Sequence, residues 1–337
     1  MTRIAVIGLG MAAPPHARSL RDLSDRVEVA AAFSPTAERR EAFARTHAMP
    51  VCDDIDRIFA DRSIDAVMIL TPPNTHLDLV GRAVDAGKHV LLEKPLETDL
   101  VRARALVDAA EKAGIVHGVV LQLRFRPAAE ALAAIIAEGR LGTIVSASAR
   151  VANWRPQSYY DQPGRGTRAR DGGGVLLTQA IHTLDLLISL AGLPTEVSAL
   201  AVTTPVHRME TEDLAAAIVR YDNGAIGAIS ATTCAYPGYP DTIEVIGTKG
   251  SATLAGEALA ASFHDGTTVN LGAAEAGGAG ADPMAFGHHL HRAVLSDFLD
   301  AIETGRRPRV DGREALKVHR LIDAILASSV SGARVSP

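Results

Sequence analysis

The turn that follows the first predicted strand constrains the fold of this chain more than any other feature. The predicted strand at residues 3–7 reads RIAVI and is apolar from residue 4 onward, residues 8–13 read GLGMAA, and a helix is predicted over residues 12–23. In such a G-x-G-x-x-A turn the first glycine permits the tight turn, the second lets a pyrophosphate approach the backbone, and the small last residue lets helix and strand pack closely. The pattern predicts a dinucleotide site, with a purely structural turn as the alternative; its predicted contacts are Gly8, Gly10, Met11 and Ala12.

Strands and helices alternate over the first 120 residues. Apolar runs predict strands at residues 3–7, 27–33, 66–70, 89–92 and 116–120, and amphipathic stretches predict helices at residues 12–23, 37–46, 77–86 and 99–113. Most of the runs are continuously apolar, which is typical of parallel strands covered on both faces. The alternation predicts a doubly wound α/β domain that binds its ligand at the carboxyl ends of the strands.

The end of the second strand bears on the choice of nicotinamide cofactor. An Asp or Glu at this place accepts hydrogen bonds from the adenine ribose and disfavours a 2′-phosphate. This chain has Ser34 there, and Arg39 and Arg40 follow on the next predicted helix. We expect NAD or NADP, with a slight preference for NADP contacted by Ser34 and Arg39. A solvated helix face is an equally good interpretation of the two arginines.

Composition excludes several other classes of protein. Hydrophobic residues make up 47% of the 337 residues and charged residues 22%, which is the balance of a globular protein with two domains. The net charge of −5 argues against a nucleic-acid-binding protein. No apolar run approaches the ~20 residues that span a membrane. Cys52 and Cys234 form neither a disulfide framework nor a metal-binding pair, which fits the predicted location, the cytoplasm.

Four further motifs make the chain resemble one family. They are TPPNTH at residues 71–76, EKP at 93–95, Q-x-R-F-x-P at 122–127 and GGGVLLTQAIHTLD at 172–185. In this order they resemble the Gfo/Idh/MocA family of oxidoreductases, which includes glucose–fructose oxidoreductase and inositol dehydrogenase. The resemblance implies an α/β N-terminal Rossmann domain over residues 1–120. It also implies an α+β C-terminal domain, with a large open and mostly antiparallel sheet, over residues 121–337 that serves substrate binding and oligomerisation.

The same resemblance implies an activity and a set of cofactor contacts. Family members oxidise or reduce a sugar, a polyol or a related cyclic hydroxy acid with a nicotinamide cofactor. Oligomers are common among them, so we expect a homodimer or homotetramer that acts on a small molecule. Besides the glycine turn, the cofactor contacts carried over from the motifs are Thr71, Pro72, Asn74, His76, Glu93, Lys94, Gln122 and Arg124.

Lys94 is the expected acid/base of the reaction. It follows the strand at residues 89–92, so it should project from the carboxyl edge of the sheet, where nicotinamide would lie. Oxidation of a carbinol requires a base that takes the hydroxyl proton. A free lysine, with a pKa near ~10, is a poor base at neutral pH, but burial and an oxidised nicotinamide would both lower that pKa. The resemblance assigns this lysine the catalytic role.

His182 is the expected partner of Lys94. Thr178 and His182 are four residues apart on a predicted helix and therefore share a face. The family often has Asp at the first position and His at the second, both facing the substrate. Because Thr178 cannot ionise, binding the reacting hydroxyl or sharing its proton falls to His182. Thr178 or Gln179 is then a substrate ligand, and Asp185 is interpreted as a structural or supporting residue.

The second domain has a different pattern. A helix is predicted at residues 126–138, and strands at 144–151, 215–221, 225–233, 242–246 and 251–254, with a hairpin turn at 222–224. The loop at 153–171 combines aromatic rings with hydrogen-bond donors, which suits a hydroxylated or carboxylated ligand, although a solvated loop explains it equally well. The substrate contacts predicted in this loop are Trp154, Arg155, Tyr159, Arg165 and Arg168.

Two segments nearer the C-terminus add no further chemistry to this interpretation. His288, His289 and His291 open an amphipathic helix with no cysteine beside them, so we expect a helix face or pocket rim and no metal. Residues 272–281 are almost entirely Ala and Gly and predict a flexible loop.

Two other functions remain compatible with the sequence. A nucleotide-binding regulator of the same fold would have little need of Lys94 or His182, so their presence counts against it. An NAD-dependent glycoside hydrolase would keep the nicotinamide but cleave a glycosidic bond, and product analysis would distinguish it from a dehydrogenase.

Overall fold

The computed structural model describes residues 1–273 and 287–337. The chain forms two compact units, one of Met1–Gln122 with Gly287–Leu316, and the other of Leu123–Phe286 with Lys317–Pro337. The sequence-based boundary assigned all of 121–337 to the second domain, whereas Gly287–Leu316 lies in the first unit. Of the predicted loop at 272–281, only residues 272 and 273 fall within the described residues.

A six-stranded parallel sheet forms the centre of the first unit. The strands lie in the order β3-β2-β1-β4-β5-β6, and every pairing between them is parallel. From β1 the strand order runs outward through β2 and β3 on one side, and from β4 it runs outward through β5 and β6 on the other. The turn after β1 therefore lies at the switch point of the strand order, where such sheets bind ligands. The predicted doubly wound fold is confirmed. The strands are β1 (Thr2–Ile7), β2 (Val27–Phe33), β3 (Val51–Cys52), β4 (Ala66–Ile69), β5 (His89–Leu92) and β6 (His117–Val119).

Five helices connect these strands. The strands and helices predicted in this part of the chain all form, with ends within one residue of the prediction. No sequence pattern predicts β3 and α3, because elements of two and six residues are too short to show a periodic pattern. The helices are α1 (Ala13–Asp22), α2 (Ala37–His47), α3 (Ile55–Ala60), α4 (His76–Asp85) and α5 (Leu100–Lys112).

An eight-stranded sheet forms the second unit, in the order β14-β13-β12-β11-β7-β10-β9-β8. Strands β7 and β10 pair in parallel and the other neighbours are antiparallel, so the predicted open, mostly antiparallel sheet is confirmed. The strands are β7 (Ile144–Ala152), β8 (Glu196–Val202), β9 (Leu214–Arg220), β10 (Ile226–Thr232), β11 (Thr242–Gly247), β12 (Gly250–Ala255), β13 (Ala258–Phe263) and β14 (Thr268–Leu271).

Four helices of this unit precede β8 in the chain. They are α6 (Pro127–Ala137), α7 (Gln157–Tyr160), α8 (Arg168–Asp171) and α9 (Ile181–Ala191), with a π-helical turn at Leu176–Ala180 before α9. Helices α6 and α9 contact each other and pack on the sheet, α6 against β12 and β13 and α9 against β7 and β11. The stretch Arg168–Ala191 is long and apolar enough to cross a membrane by length and composition. However, 72% of its most apolar window is buried within the protein, as in the core helix of a folded domain.

Two more helices follow the second sheet in the chain. Helix α10 (His289–Thr304) belongs to the first unit and packs against α1. Its Leu295, Phe298 and Leu299 are completely buried. Helix α11 (Gly312–Ser331) begins in the first unit and belongs to the second from Lys317 onward. The first unit is therefore built from two separate pieces of the chain.

Candidate active site

The two glycines of the turn after β1 have different environments. Gly8 has φ +105°, and a Cβ built on it would lie 2.7 Å from the carbonyl carbon of Leu70, so the fold itself requires glycine there. A Cβ built on Gly10 would meet no atom of the described residues within 4 Å. The open side of Gly10 leaves room for a pyrophosphate cradle of the predicted kind, and α1 begins beside it without a side-chain cap on its amide end.

A second feature of the same sheet edge fits a dinucleotide. Gln122 follows β6 in a short 3₁₀ turn, and its Oε1 is buried without a hydrogen-bond partner among the described residues. An amide oxygen of this kind is available to a polar group of a bound cofactor. Together with the cradle at Gly10, it agrees with the predicted nucleotide site. Met11 is exposed and Ala12 half-buried at the start of α1.

The end of β2 places Ser34 and Arg40 together. Ser34 is buried, its Oγ accepts a hydrogen bond from the Thr36 amide at 3.3 Å, and its carbonyl accepts one from Arg40 Nη1 at 2.6 Å. Arg39 is exposed on α2. Ser34 rather than an acidic residue therefore stands at the end of β2, and Arg40 lies against it.

The turn after β4 contains both exposed and buried members of the predicted cofactor set. Pro72 and Asn74 are exposed, and Thr71 Oγ1 lies 2.7 Å from Thr75 Oγ1. The ring of His76 is buried, with Nε2 2.9 Å from the Thr71 carbonyl oxygen and Nδ1 3.0 Å from that of Pro95. Burial lowers the pKa of His76. The imidazole therefore joins the turn after β4 to the segment after β5.

Lys94 follows β5 by two residues and is half-buried at the carboxyl edge of the parallel sheet. Its backbone amide donates to Glu93 Oε2 at 3.0 Å, and the other carboxylate oxygen, Oε1, lies 2.8 Å from His16 Nε2. Burial raises the pKa of Glu93, but the hydrogen bond and charge of His16, with His291 and Lys94, lower it to about 2. Glu93 is therefore a buried anion next to the proposed acid/base.

His16, which no sequence motif singles out, lies on α1 one turn beyond the glycine turn. Its ring is 1% exposed and stands edge-on to the buried ring of His291 on α10, with 5.0 Å between ring centroids. Burial and the neighbouring His16 lower the pKa of His291 to about 3. His288, at the start of the same helix, lies 2.8 Å from Asp22 on α1 instead. Only the spacing of the histidines, not their partners, is visible in the sequence.

Two clusters among the described residues combine metal-ligand types, namely His16 with Glu93 and His291, and His207 with Asp213 and Cys234. In each cluster a histidine nitrogen lies 2.8 Å from a carboxylate oxygen, which is a hydrogen-bond distance. Two ligand atoms on one tetrahedral zinc would lie about 3.3 Å apart. Both clusters are therefore arranged as hydrogen-bonded networks.

A buried carboxylate binds backbone amides at the end of the glycine run that precedes α9. Glu212 accepts hydrogen bonds from the amides of Gly174 and Leu176, at 3.1 Å each, and burial raises its pKa. A Cβ on Gly174 would come within 1.8 Å of the Glu212 carbonyl oxygen. In the π-helical turn that follows, Thr178 Oγ1 donates to the Gly174 carbonyl at 2.7 Å and also contacts Gln179.

Helix α9 is fixed by an ion pair one turn after His182. Arg124 Nε donates to Asp185 Oδ2 at 2.8 Å and Nη2 to Oδ1 at 2.6 Å, and both side chains are buried. His182 itself is half-buried on the first turn of α9. The guanidinium of Arg124, which the motif resemblance placed among the cofactor contacts, thus serves Asp185, in line with the structural interpretation of that carboxylate.

Two arginines of the predicted substrate loop pack against the ring of Tyr159. The guanidinium groups of Arg155 and Arg165 lie 5.8 and 5.0 Å from the centre of its ring. Arg165 also lies 3.7 Å from Asp171, and the exposed Arg168 lies 3.7 Å from Glu210. Carboxylates of the second unit therefore accompany two of the three arginines in the predicted substrate set.

A buried network anchors the start of this loop. His207 Nε2 lies 2.8 Å from the Arg155 carbonyl oxygen, and Nδ1 lies 2.8 Å from Asp213 Oδ2 and 3.7 Å from Cys234 Sγ. A nucleophilic triad needs the acid and the nucleophile at opposite ring nitrogens, and here both face Nδ1. Burial raises the pKa of Cys234, which keeps the thiol protonated. Trp154 packs beside this network, its ring 6.2 Å from that of His207.

Comparison with protein families identifies the class of protein. A model described as the oxidoreductase family, NAD-binding Rossmann fold, matches residues 2–121, and one described as the GFO/IDH/MocA C-terminal domain matches residues 129–253. The chain therefore belongs to the Gfo/Idh/MocA family of NAD-binding oxidoreductases. The predicted family, the enzyme class and a nicotinamide cofactor are confirmed at this level.

Individual relatives are sugar and polyol enzymes. The chain is 32% identical to 1,5-anhydro-D-fructose reductase of Ensifer adhaerens, covering 86% of this chain and 85% of the relative. It is 26% identical to myo-inositol 2-dehydrogenase of Thermotoga maritima, covering 93% and 91%. Among solved structures, levoglucosan dehydrogenase with NADH and levoglucosan has a TM-score of 0.88 at 26% identity, covering 99% of each chain. The WlbA dehydrogenase of Bordetella pertussis with NADH and UDP-GlcNAcA has a TM-score of 0.85 at 27% identity, covering 100% and 98%.

Proposed function

We propose that this protein transfers a hydride between NAD(P) and a hydroxyl or carbonyl carbon of a sugar, a polyol or a related cyclic hydroxy acid. The position of Lys94 carries the proposal. It lies two residues after the end of β5, on the same carboxyl edge of the parallel sheet as the glycine turn after β1. A titratable amine at the edge where a dinucleotide binds is what proton transfer to a carbinol oxygen requires.

The proton chemistry is assigned to this chain's own side chains. When bound, nicotinamide supplies the hydride acceptor or donor. In the oxidative direction Lys94 Nζ takes the substrate's hydroxyl proton while the C–H hydride leaves and the C=O bond forms; reduction reverses both transfers. We assign His182 to the reacting oxygen as the second proton-sharing group, and Thr178 or Gln179 to a neighbouring hydroxyl, because the motif at 172–185 resembles the family pattern at these positions.

Within the proposed substrate range, an uncharged ring is favoured over a sugar acid. Relatives of this chain are named after 1,5-anhydrofructose, inositol and levoglucosan, all of them cyclic and hydroxylated. Asp171 and Glu210 lie close to Arg165 and Arg168, so these guanidinium charges are already balanced. The side chains proposed to face the hydroxylated ring are Trp154, Arg155, Tyr159, Arg165 and Arg168.

The cofactor proposal allows NAD and NADP and gives NADP the preference. The support is the absence of a carboxylate at the described end of β2, where buried Ser34 holds the guanidinium of Arg40 on its carbonyl. An arginine at this place offers hydrogen bonds and charge to a 2′-phosphate. Solved neighbours contain NADH, so the two nucleotides need a direct comparison.

We also propose a cytoplasmic homo-oligomer, a dimer or a tetramer. The face of the second unit's sheet opposite α6 and α9 exposes apolar side chains on neighbouring strands: Leu200 is 70% exposed, Ile218 60% and Ile226 56%. Exposed apolar side chains grouped on one sheet face in this way are typical of a protein–protein interface. A second copy of the same sheet face is the proposed partner.

The experiment follows absorbance of reduced nicotinamide with NAD⁺ or NADP⁺ and a panel of inositols, anhydrosugars, aldoses, sugar acids and UDP-sugars. Turnover that falls at least about 100-fold in Lys94→Ala, but not in the exposed-lysine control Lys112→Ala, supports the proposal. Turnover unchanged in Lys94→Ala removes the lysine from its role. Nucleotide binding without turnover would favour the regulator, and free sugar released from a glycoside would favour the hydrolase.

A further inference from the structure

We propose that His16 is a positioning residue for Lys94, acting through the carboxylate of Glu93. The inference rests on the proposed role of Lys94 as acid/base. It assigns a task to a buried histidine of α1 that neither the nucleotide site nor the substrate loop uses.

The two carboxylate oxygens of Glu93 contact different partners, one the backbone of Lys94 and the other the ring of His16. Oε2 accepts the backbone amide of Lys94 at 3.0 Å, and Oε1 lies 2.8 Å from His16 Nε2. Glu93 extends the pairing of β5 through its own amide, which donates to the Ile69 carbonyl at 2.9 Å. Its backbone is therefore held by the sheet and its side chain by α1, so the Lys94 amide donates its hydrogen bond to a carboxylate that is fixed in position.

His16 is held in place in turn. Its ring is 1% exposed and stands edge-on to His291, whose ring centroid lies 5.0 Å away on α10. Close packing around a buried ring restricts its rotamers, so these contacts keep His16 beside Glu93. The result is a rigid connection that runs from α10 through α1 to the acid/base after β5.

The chain is also held on the far side of Lys94. The buried ring of His76 lies 3.0 Å from the Pro95 carbonyl oxygen and 3.2 Å from that of Leu96. The backbone of Lys94 is thus held between two buried imidazoles, one acting through Glu93 and one acting on the next peptide. Substituting His16 releases the Glu93 side of the Lys94 backbone and leaves the contacts of His76 in place. We therefore expect the amine of Lys94 to move while the nucleotide site is retained.

Two substitutions separate the hydrogen bond from the packing. In His16→Leu the volume is largely kept and the donor is lost, whereas in His16→Gln the side-chain amide can donate to Glu93 from nearly the same place as Nε2. The matched control is His117→Leu, which removes another buried histidine of the same unit that lies against Gly312.

The readout is an NMR signal of Lys94 that does not depend on turnover. The chain has five lysines, so reductive methylation with ¹³C-formaldehyde gives few dimethyl-lysine signals, and Lys94→Arg identifies the one from Lys94. We expect His16→Leu to move that signal, His16→Gln to restore it and His117→Leu to leave it unchanged. With a substrate in hand, kcat should fall roughly 10- to 100-fold in His16→Leu, while nucleotide affinity and substrate KM stay within about twofold.

The outcomes distinguish this inference from the proposed function. A Lys94 signal that moves in a protein inactive on every substrate supports the positioning and contradicts the dehydrogenase. An unmoved signal with unchanged kcat overturns the positioning and leaves the dehydrogenase intact. If His16→Leu does not fold, Glu93→Gln replaces it, since the amide keeps the size and loses the anion; an unmoved Lys94 signal there overturns the inference equally.

Discussion

The two glycines of the turn after β1 differ in why glycine is needed: the fold requires one of them, and we propose that the ligand requires the other. Gly8 is enclosed by the backbone at Leu70 and Thr71 and has a positive φ, so its glycine is a structural requirement. Gly10 faces open space and has no such requirement. A motif match treats the two glycines alike, but the structure gives them different tasks.

We predict that Gly8→Ala mainly lowers the stability of the fold, whereas Gly10→Ala mainly weakens nucleotide binding. Gly8→Ala should lower the free energy of unfolding by several kcal/mol, about 3 or more, because the methyl group meets backbone atoms in a strained conformation. Gly10→Ala should keep the melting temperature within a few degrees and weaken NAD(P)H binding at least about tenfold, because the methyl group enters the phosphate cradle. Thermal unfolding and nucleotide fluorescence titration measure the two effects. Wild-type affinity in Gly10→Ala would contradict the placement of the pyrophosphate.

Cofactor preference should depend on Arg40 and Arg39. If both meet a 2′-phosphate, Arg40→Ala and Arg39→Ala should each weaken NADPH binding by about tenfold and leave NADH binding within about twofold. Fluorescence titration with each reduced nucleotide gives the ratio of dissociation constants. Exposed Arg45, on the last turn of α2, is the control. Equal losses for both nucleotides would show that Arg40 acts on the fold of the β2 end instead.

Buried histidines predict acid sensitivity. Burial lowers the pKa of His117 to about 4, and its Nε2 has no hydrogen-bond partner in the described part of the chain. The unfolded imidazole takes up a proton near pH ~6.5 and the folded one does not, so lowering the pH through this window favours unfolding, by about 2 kcal/mol at pH 5. His117→Asn does not titrate. Its unfolding free energy should therefore fall less than that of the wild type between about pH 7 and pH 5, as urea denaturation can measure; equal losses would count against this assignment.

At the level of secondary-structure elements, α9 depends on one buried ion pair. Arg124 lies just beyond the first unit's parallel sheet in sequence, and its bidentate contact with Asp185 holds the helix that carries His182. Breaking a buried pair leaves an uncompensated charge, which costs more than the pair itself contributes.

We therefore predict non-additive effects at this pair. Arg124→Met and Asp185→Leu should each destabilise the protein by about 3 to 5 kcal/mol, whereas the double substitution should recover most of that loss. Urea unfolding measures the three variants, and the exposed pair Arg168–Glu210 supplies a control of below about 1 kcal/mol. Additive losses in the double variant would show that packing rather than charge holds α9.

The sequence predicted elements better than it predicted side-chain partners. The long apolar runs of the first unit gave their strand and helix limits to within one residue, because parallel strands and amphipathic helices have strong periodic signals. The glycine turn and Lys94 could also be predicted, because each belongs to a short motif of consecutive residues. Glu212 and His16 were missed, because their partners lie 38 and 77 positions away and no local pattern reports such a contact.

Association of the whole molecule should depend on the open sheet face of the second unit. Ile218→Lys combined with Leu200→Lys puts two charges on that patch, so we expect the mass measured by light scattering to fall to that of a monomer. The control is Val330→Lys, which charges a residue that is 91% exposed near the end of α11. A wild-type monomer, or a double variant that keeps its oligomeric mass, would exclude this face as the interface.

The division of the first unit into two pieces of chain has a consequence for protein synthesis. On the ribosome, residues 1–122 emerge early, but α10, which covers α1 and orients His16 through His291, is translated only after residues 123–286. Until then the side of α1 that carries His16 and Ser19, which contact His291 and His288, has no helix over it. A nascent chain interrupted at residue 286 would contain every described strand of both sheets and still lack the helix that completes its nucleotide-binding unit.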